Sequence, residues 1–437
     1  MLAGDILERI SDKFDKVEVY VEKTKAEEFE LRNSKDFSKG LNIDTGCGIR
    51  LIKDSKMAFV YTSLDNDNNF DRIIDDISRS IKFSKTVDAE MINDSAHTLI
   101  NEKNVDFDED RIKEIVYSMD SIAKGFDKRI VDVKGSAVSV FEKQIEIANS
   151  NGLYVKDAKT HISASVSVLA KDKIADAGWY SLDADTLDSI DFDYVAKKGA
   201  SLAVDKLYPK AVSTKKYSII FENSVFVQLL AHFFPVFDAY SVINHTTAFE
   251  NRIDEKVFSD KITIKDSANL KHRPNSMKSD DEGSLRKDVI VVENGILKSF
   301  LSNTYTSNKL KISNTSNAKR ASWMSLPKVG AFNFHIIPDK NMPRKKLMNK
   351  IDGLFITEIM GLHMANSISG DFSFGINGFF VHNGELVSYF KAATLADNFF
   401  EMMKRVVDVS DEIYFSSSFG SPDVAVADCI VGGENNG

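Results

Sequence analysis

RIVDVKGSAVSVFEKQIEIANSNGLYVKD, residues 129–157, is the stretch whose reading decides the fold. It reads as strand on both sides of Asn151-Gly152, with apolar residues alternating with polar ones. Asn151-Gly152 itself reads as a two-residue hairpin turn, because both turn positions need positive φ and these two residue types tolerate it. HISASVSVLAKD (161–172) and ADAGWYSLD (175–183) continue the sheet. Upstream, KVEVYVEKT (16–24), FELRNS (29–34), GIRLIKD (48–54) and KMAFVYTS (56–63) make an antiparallel meander with turn residues between its members.

Helical spacing interrupts these strands. In MLAGDILERISDKF the apolar Leu7, Ile10 and Phe14 face inward, and Asp5 and Glu8 fall where a secretory signal would need its apolar core. NNFDRIIDDISRSIKF (68–83) sets Phe70, Ile73, Ile74, Ile77 and Ile81 on one side, and DEDRIKEIVYSMDSIAKGF (108–126) does the same with Ile112, Ile115, Val116 and Met119. A further helix is expected over FDYVAKKGASLAVDKLY (192–208). The polar PKAVSTKK (209–216) breaks the pattern, so domains 1–210 and 211–437 are expected. Beyond it come a strand, YSIIFE (217–222), and a helix, VFVQLLAHFF, capped by Asn223-Ser224. Two Asn-Gly hairpins follow, VVENGILKSF (291–300) and FVHNGELVSYF (380–390), then an amphipathic helix NFFEMMKRVVDV (398–409) and a last strand, DVAVADCIVG (423–432). Strands and helices mixed without regular βαβ alternation mean an α+β chain with strand-rich mixed and antiparallel sheets and flanking helices.

Composition narrows the function classes. A chain of 437 residues is too long for one ordinary core. A net charge of −9 argues against a broad nucleic-acid surface, which needs clustered cations. The most apolar short stretch, LLAHFFPVF (229–237), is far too short to span a bilayer. Two distant cysteines, Cys47 and Cys429, offer no disulfide framework and suit a reducing cytoplasm. The chain is therefore expected to be cytoplasmic, bound neither to nucleic acid nor to membrane.

A search for chemistry finds little by spacing alone. H-E-x-x-H is absent, and His232 beside Phe233 and Phe234 reads as a packed core-edge residue. There is no G-x-G-x-x-G and no G-x-S-x-G. SDDEGSLRKD (279–288) and TSNKLKISNTSNAKR (306–320) read as a solvated turn and a solvated polar loop. SGDFSFGINGFFVHNGE (369–385) has four glycines around Asp371 and a Phe-Phe-Val strand. On residues alone, activity stays open.

Five blocks, taken in order, carry a resemblance: GCGIRLIKDSKMAFVYTS (46–63), IANSNGLYVKDAKT (147–160), the DDEG…NTYTSNKL segment (280–310), GLFITEIMGLHMANSISGDFSFGINGFFVHNGE (353–385) and ATLADN (393–398), where Asp397 replaces a usual glycine. The chain resembles the TldD/PmbA family, and within it the PmbA/TldE branch. That resemblance implies a cytoplasmic metallopeptidase system acting on peptides or unfolded protein, in which an H-E-x-x-x-H chain holds zinc. The family is also linked with a peptide antibiotic, an antitoxin and DNA gyrase. Aligned by SIIFENSVFVQLLAHFFPVF, the metal-ligand positions fall on Ala231 and Val236 and the glutamate position on His232. The resemblance thus implies a vestigial metal helix with no metal of its own, and a TldD-like partner that carries the zinc. A homodimeric, self-sufficient peptidase and a non-catalytic modulator of gyrase or of a toxin–antitoxin system are the alternatives. The substrate-binding candidates are His363, Gly370, Asp371, Ser373, Asp281 and Asn317.

Overall fold

The computed structural model describes residues 2–64, 70–101 and 107–433. Its first part runs α1 (Ala3–Ile10), β1 (Lys16–Arg32), β2 (Asp36–Lys53), β3 (Lys56–Ser63), α2 (Phe70–Ser80), β4 (Thr98–Asn101), α3 (Glu109–Gly125), β5 (Ile130–Asn149), β6 (Tyr154–Lys171), β7 (Ala175–Ala184) and α4 (Phe192–Asp205). The strands form one seven-stranded sheet in the order β3-β2-β1-β5-β6-β4, with β7 also paired to β6. KVEVYVEKT and FELRNS are one continuous strand, and HISASVSVLAKD is the far half of β6. Long alternating runs pair end to end here, so the polar residues between the expected strands stay in register.

Asn151-Gly152 does not make the expected two-residue turn. Only Gly152 has positive φ, and the loop is set instead by Asn149, whose Oδ1 accepts from the Asn151 and Leu153 N–H groups. In α1 the inward residues are Ala3, Ile6 and Ile10, and Leu7 is only partly buried. The start of NNFDRIIDDISRSIKF lies outside the described residues, and α2 buries Phe70 and Ile74 most deeply.

The second part runs β8 (Lys215–Phe221), α5 (Asn223–Phe233), α6 (Ala239–Ile243), β9 (Ile264–Asp266), β10 (Val289–Glu293), β11 (Ile296–Leu297), α7 (Thr304–Leu310), β12 (Ala318–Lys319), β13 (Lys328–Val329), β14 (Phe334–Ile336), α8 (Arg344–Met348), β15 (Gly353–Met360), β16 (Asp371–His382), β17 (Glu385–Asn398), α9 (Phe399–Lys404), β18 (Val406–Val409), β19 (Tyr414–Ser416), β20 (Phe419–Ser421) and β21 (Val424–Gly432). One sheet follows β17-β16-β15-β8-β21-β18 and closes on itself through a β17–β21 pairing, and another follows β11-β10-β9-β14-β20-β19. The largest core lies between them, rich in phenylalanine: Phe233 stacks on Phe399 at 4.1 Å, and Phe237 packs with Phe249, Phe258 and Phe334. Both Asn-Gly hairpins form, with positive φ at Asn294, Gly295, Asn383 and Gly384. NFFEMMKRVVDV is half helix and half strand: α9 ends at Lys404 and β18 pairs with β21. The α+β class holds.

Sequence alternation gives the first sheet two different faces. One takes Ile49, Leu51, Val17 and Val19 into an apolar core under α1 and α2. The other carries Gly46, Gly48 and Arg50 from β2 directly opposite Glu22, Tyr20 and Glu18 of β1. Lys143 of β5 and Asp157 and Lys159 of β6 continue that face. The second part of the chain docks on this polar face.

Candidate functional site

Helix α5 follows β8 directly. Its N-cap is Glu222, not Asn223 or Ser224, and the Glu222 carboxylate accepts from Lys198 Nζ at 3.0 Å and Ser224 Oγ at 3.0 Å. The Asn223 N–H is met by Asp423, which also holds Arg344 through two hydrogen bonds of 2.6 and 2.8 Å. Val225, Phe226, Val227, Leu229, Leu230 and Phe233 bury one face of the helix. The helix ends at Phe233, and Pro235 then sits in a short 3₁₀ turn together with Val236.

Zinc does not fit these residues. Ala231 has no donor atom, Val236 is an apolar side chain buried after the helix has ended, and His232 Nε2 is 2.9 Å from the Ala365 carbonyl oxygen. Among the described residues no three His, Cys, Asp or Glu side chains converge so as to hold a metal ion.

Beside the start of α5 is a cavity of about 550 Å³. Its walls come from both parts of the chain: Trp179 and Lys206 from the first, Gln228, Glu358, Met360 and Tyr414 from the second. Lys206 pairs with Glu358 and donates to the Ala177 carbonyl at 2.8 Å. Glu358 also accepts from Asn377 Nδ2 at 2.9 Å and Tyr389 O–H at 3.2 Å. Burial pushes the Tyr180 and Tyr389 phenols well above their ordinary range, so both stay neutral. The cavity thus offers an exposed indole, a thioether and fixed polar groups, a mixture that suits a stretch of peptide chain better than a small ion.

The six substrate-binding candidates fall into two groups that no hydrogen bond or ion pair joins among the described residues. His363, Gly370, Asp371 and Ser373 lie in and after the β15–β16 connection. His363, Asp371 and Ser373 are exposed there and do not line the cavity. Asp371 accepts from Asn398 Nδ2 at 2.9 Å and Ser369 Oγ at 2.8 Å, and these bonds hold its carboxyl below the usual range. Asn398 in turn caps α9. Asp371 therefore ties its own turn to the ATLADN block. Gly370 is needed by geometry: its φ is +86°, and a Cβ would lie 2.7 Å from the Phe400 ring.

Asp281 and Asn317 are in the other group, and here the sequence reading is overturned. SDDEGSLRKD is no solvated turn: Asp280, Asp281, Glu282 and Ser284 are all buried. The 306–320 stretch is solvated only over 308–313, since Thr315, Ser316, Asn317, Ala318 and Arg320 are buried with them. Arg50 donates to Glu18 Oε1 at 2.9 Å and to Glu282 Oε1 at 3.1 Å, and Arg320 also pairs with Glu18. Burial opposes the Arg50 charge, but Glu18 and Glu282 outweigh it and hold the guanidinium above its ordinary range. Asp280 accepts the N–H groups of Glu282, Ser284 and Ala318 at 2.9–3.0 Å. Burial and then the Glu282 charge still push its carboxyl well up. Asp281 accepts the Arg320 N–H at 2.7 Å, and Asn317 Nδ2 donates to Asp266. Trp323 lies over Gly46 and Gly48, where a Cβ at Gly46 would be 2.4 Å from its ring, and its indole N–H reaches Asp44 at 2.8 Å. The G-C-G-I-R and D-D-E-G blocks are thus two halves of one buried junction. Sequence reasoning missed the partnership of Glu18, Arg50, Glu282 and Arg320: Arg50 and Glu282 lie in two of the resembling blocks, whereas Glu18 and Arg320 lie in none.

Comparison with known proteins divides the first part of the chain further, into two segments. Residues 17–83, 102–207 and 214–433 match the family profiles described as PmbA/TldA metallopeptidase domain 1, central domain and C-terminal domain. An uncharacterized protein of Methanocaldococcus jannaschii is 28% identical over 379 residues, covering 84% of this chain and 85% of its own. A metalloprotease PmbA homolog of Haemophilus influenzae is 27% identical, covering 72% and 68%, and a metalloprotease TldD homolog of Buchnera aphidicola is 24% identical, covering 93% and 88%. The crystal structure of a Thermotoga maritima protein described as a modulator of a DNA gyrase superposes with a TM-score of 0.87 at 22% identity, over 98% of both chains. TldE from Thermococcus kodakarensis gives 0.85 at 18%, over 98% of this chain and 99% of its own. At these identities the two structures speak for the fold alone.

Proposed function

Since the chain belongs to the PmbA/TldD metallopeptidase family, we propose that it is the PmbA/TldE-type subunit of a cytoplasmic TldD/TldE-type peptidase system. In this reading it carries no zinc. A TldD-like partner with H-E-x-x-x-H supplies the metal, which polarises the scissile carbonyl and its water. This chain supplies fold, cavity and peptide contacts. The observation that carries the reading is the state of α5. On the alignment that the resemblance implies, Ala231 and Val236 take the ligand positions and His232 the glutamate position; what supports it is that α5 follows its strand, ends at Phe233 before Val236, and leaves His232 against the Ala365 carbonyl.

A division into domains 1–210 and 211–437 belongs to the same proposal. It is supported by the strands of the first sheet, which end at Ala184, and by β8, which begins at Lys215. The test is peptide cleavage with zinc quantified on the same samples, for this chain alone and mixed with an H-E-x-x-x-H chain from the same cell. Cleavage and zinc only in the mixture are expected. Zinc-dependent cleavage by the lone chain would overturn the proposal and favour the self-sufficient homodimer.

A further inference from the structure

Strand β7 is an outer strand of the first sheet. Among the described residues it pairs with β6 along its whole length and with no other strand. In an antiparallel pair, alternate residues turn both their N–H and their C=O away from the partner strand. Four contacts show which residues of β7 do so. The Ala177 N–H donates to Asp176 Oδ1 at 2.9 Å. The carbonyls of Ala177, Ser181 and Asp183 accept from Lys206 Nζ at 2.8 Å, the Tyr414 O–H at 3.1 Å and an Arg273 guanidinium N–H at 3.0 Å. The odd-numbered residues therefore present their peptide groups to the outside, and long side chains close this edge at 177, 181 and 183. Trp179 stands between them. Among the described residues no side chain bonds its N–H or its carbonyl.

The gap falls at the cavity beside α5. The edge from Ala177 to Ser181 is one wall of that cavity, and Gln228, Met360 and Tyr414 stand in the others. The edge is thus left uncovered where the fold leaves room beside it. About 550 Å³ lies within the range of ligand sites, about 300–1,000 Å³. The Trp179 side chain is on the same face as that of Ser167, its pair on β6, which also lines the cavity. The indole is 60% exposed and Met360 is 47% exposed.

A donor and an acceptor side by side on one strand residue are matched by one residue of an extended peptide, which returns both bonds when it lies antiparallel. Lys206 and Tyr414 hold the carbonyls on either side, so the pairing stops at that residue. Its side chain falls on the face of the indole, with the two Cβ atoms about 5.5 Å apart. An indole and a thioether are apolar and polarisable, and they favour a large apolar or aromatic side chain over a polar one.

We propose that Trp179 anchors one large apolar residue of an extended peptide, holding its backbone by two hydrogen bonds and its side chain against the indole and Met360. This inference rests on the peptide-handling reading above and adds a side-chain preference to it, with Trp179 as the residue that sets it.

The test is fluorescence anisotropy with the full chain and a dye-labelled nine-residue peptide of Ser and Thr around one central Phe, blocked at both ends. Replacing that Phe by Ser should weaken binding about tenfold, the effect of burying one large apolar side chain. N-methylation of the Phe removes the donor to the Trp179 carbonyl and should also cost about tenfold, while N-methylation two residues to either side should change nothing. Trp179→Ala keeps the peptide group and loses the indole. It should therefore abolish the preference for Phe over Ser and keep the sensitivity to N-methylation at the Phe, which also shows that the variant is folded. Binding that is equally sensitive to N-methylation at every position, or at none, overturns the inference and leaves the peptide-handling reading standing. So does a Phe preference that survives Trp179→Ala. If no peptide binds, either to this chain or to its mixture with an H-E-x-x-x-H chain, peptide handling itself fails and the anchor with it.

Discussion

Arg50→Met, alone and together with Glu282→Gln, is the sharpest test of the buried junction. Arg50 is 1% exposed, and Glu18 and Glu282 are fully buried around it. With Arg320 they form a quartet of two acids and two bases, so the site is neutral as built. Arg50→Met is close in volume and leaves one negative charge uncompensated in a dry interior, which costs about 3–5 kcal/mol. Glu282→Gln on top of it restores neutrality. The amide oxygen it introduces would still accept the Thr304 N–H that Glu282 accepts at 2.9 Å. The double variant should therefore recover about 2–3 kcal/mol of the loss, a strongly non-additive cycle. Arg9→Met, which breaks an exposed pair with Asp71, should cost about 0–1 kcal/mol and serves as control. The assay is urea unfolding followed by tryptophan emission in a Trp179→Phe background, which leaves Trp323, seated on Gly46 and Gly48, as the reporter. Undocking of Trp323 should precede the loss of far-ultraviolet ellipticity in Arg50→Met and coincide with it in the wild type. A cost below about 1 kcal/mol for Arg50→Met, or a double variant that merely adds the two single losses, would refute the reasoning.

Other outcomes follow from the same geometry. Gly46→Ala puts a methyl 2.4 Å from the Trp323 ring, so Trp323 emission should shift to the red with the first sheet still folded; unchanged emission would mean the ring seats elsewhere. Gly370→Ala combines a left-handed φ with a 2.7 Å clash against Phe400 and should lose about 1–3 kcal/mol in thermal unfolding, whereas Gly361→Ala, with nothing within 4 Å of its Cβ, should lose only the smaller cost of its φ of +84°. Lys159→Gln removes an ammonium whose folded pKa, about 7, lies below its unfolded value, so the folded state disfavours the proton. That penalty is full below pH 7 and vanishes as pH rises past about 10.4, the unfolded value. The variant should therefore be more stable than wild type at pH 6–7, with the two converging near pH 10.5 in urea titrations; a gap that widened with pH would reverse the sign argued here. Asp371→Ala, exposed and bonded only to neutral partners, should lower the thermal midpoint only slightly and leave α9 capped by Asn398; loss of folding would show a larger role for that turn.

The sequence by itself determined the elements and the class. Period-two runs became β1, β2, β3, β5, β6 and β7, period-3.6 runs became α2 to α4, and the Asn-Gly pairs at 294–295 and 383–384 closed hairpins, because these signals act within a few residues of chain. It also determined what α5 and the turn after it lack, since Ala231 and Val236 have no donor in any conformation. Where a local signal competed with a neighbouring strand, the sequence reading slipped: β21 drew VVDV out of the expected last helix. The tertiary structure alone decided the fate of the acidic and polar stretches. SDDEG looks solvated in a local window, yet Arg50 meets Glu282 across 232 positions and Arg320 meets Glu18 across 302. Local composition carries no record of such partners. Charged residues buried in matched pairs have the same letters as charged residues in water, and only the closing of one sheet face over another tells them apart. The cavity beside α5 arises at that same closure, from side chains that no periodicity brings together.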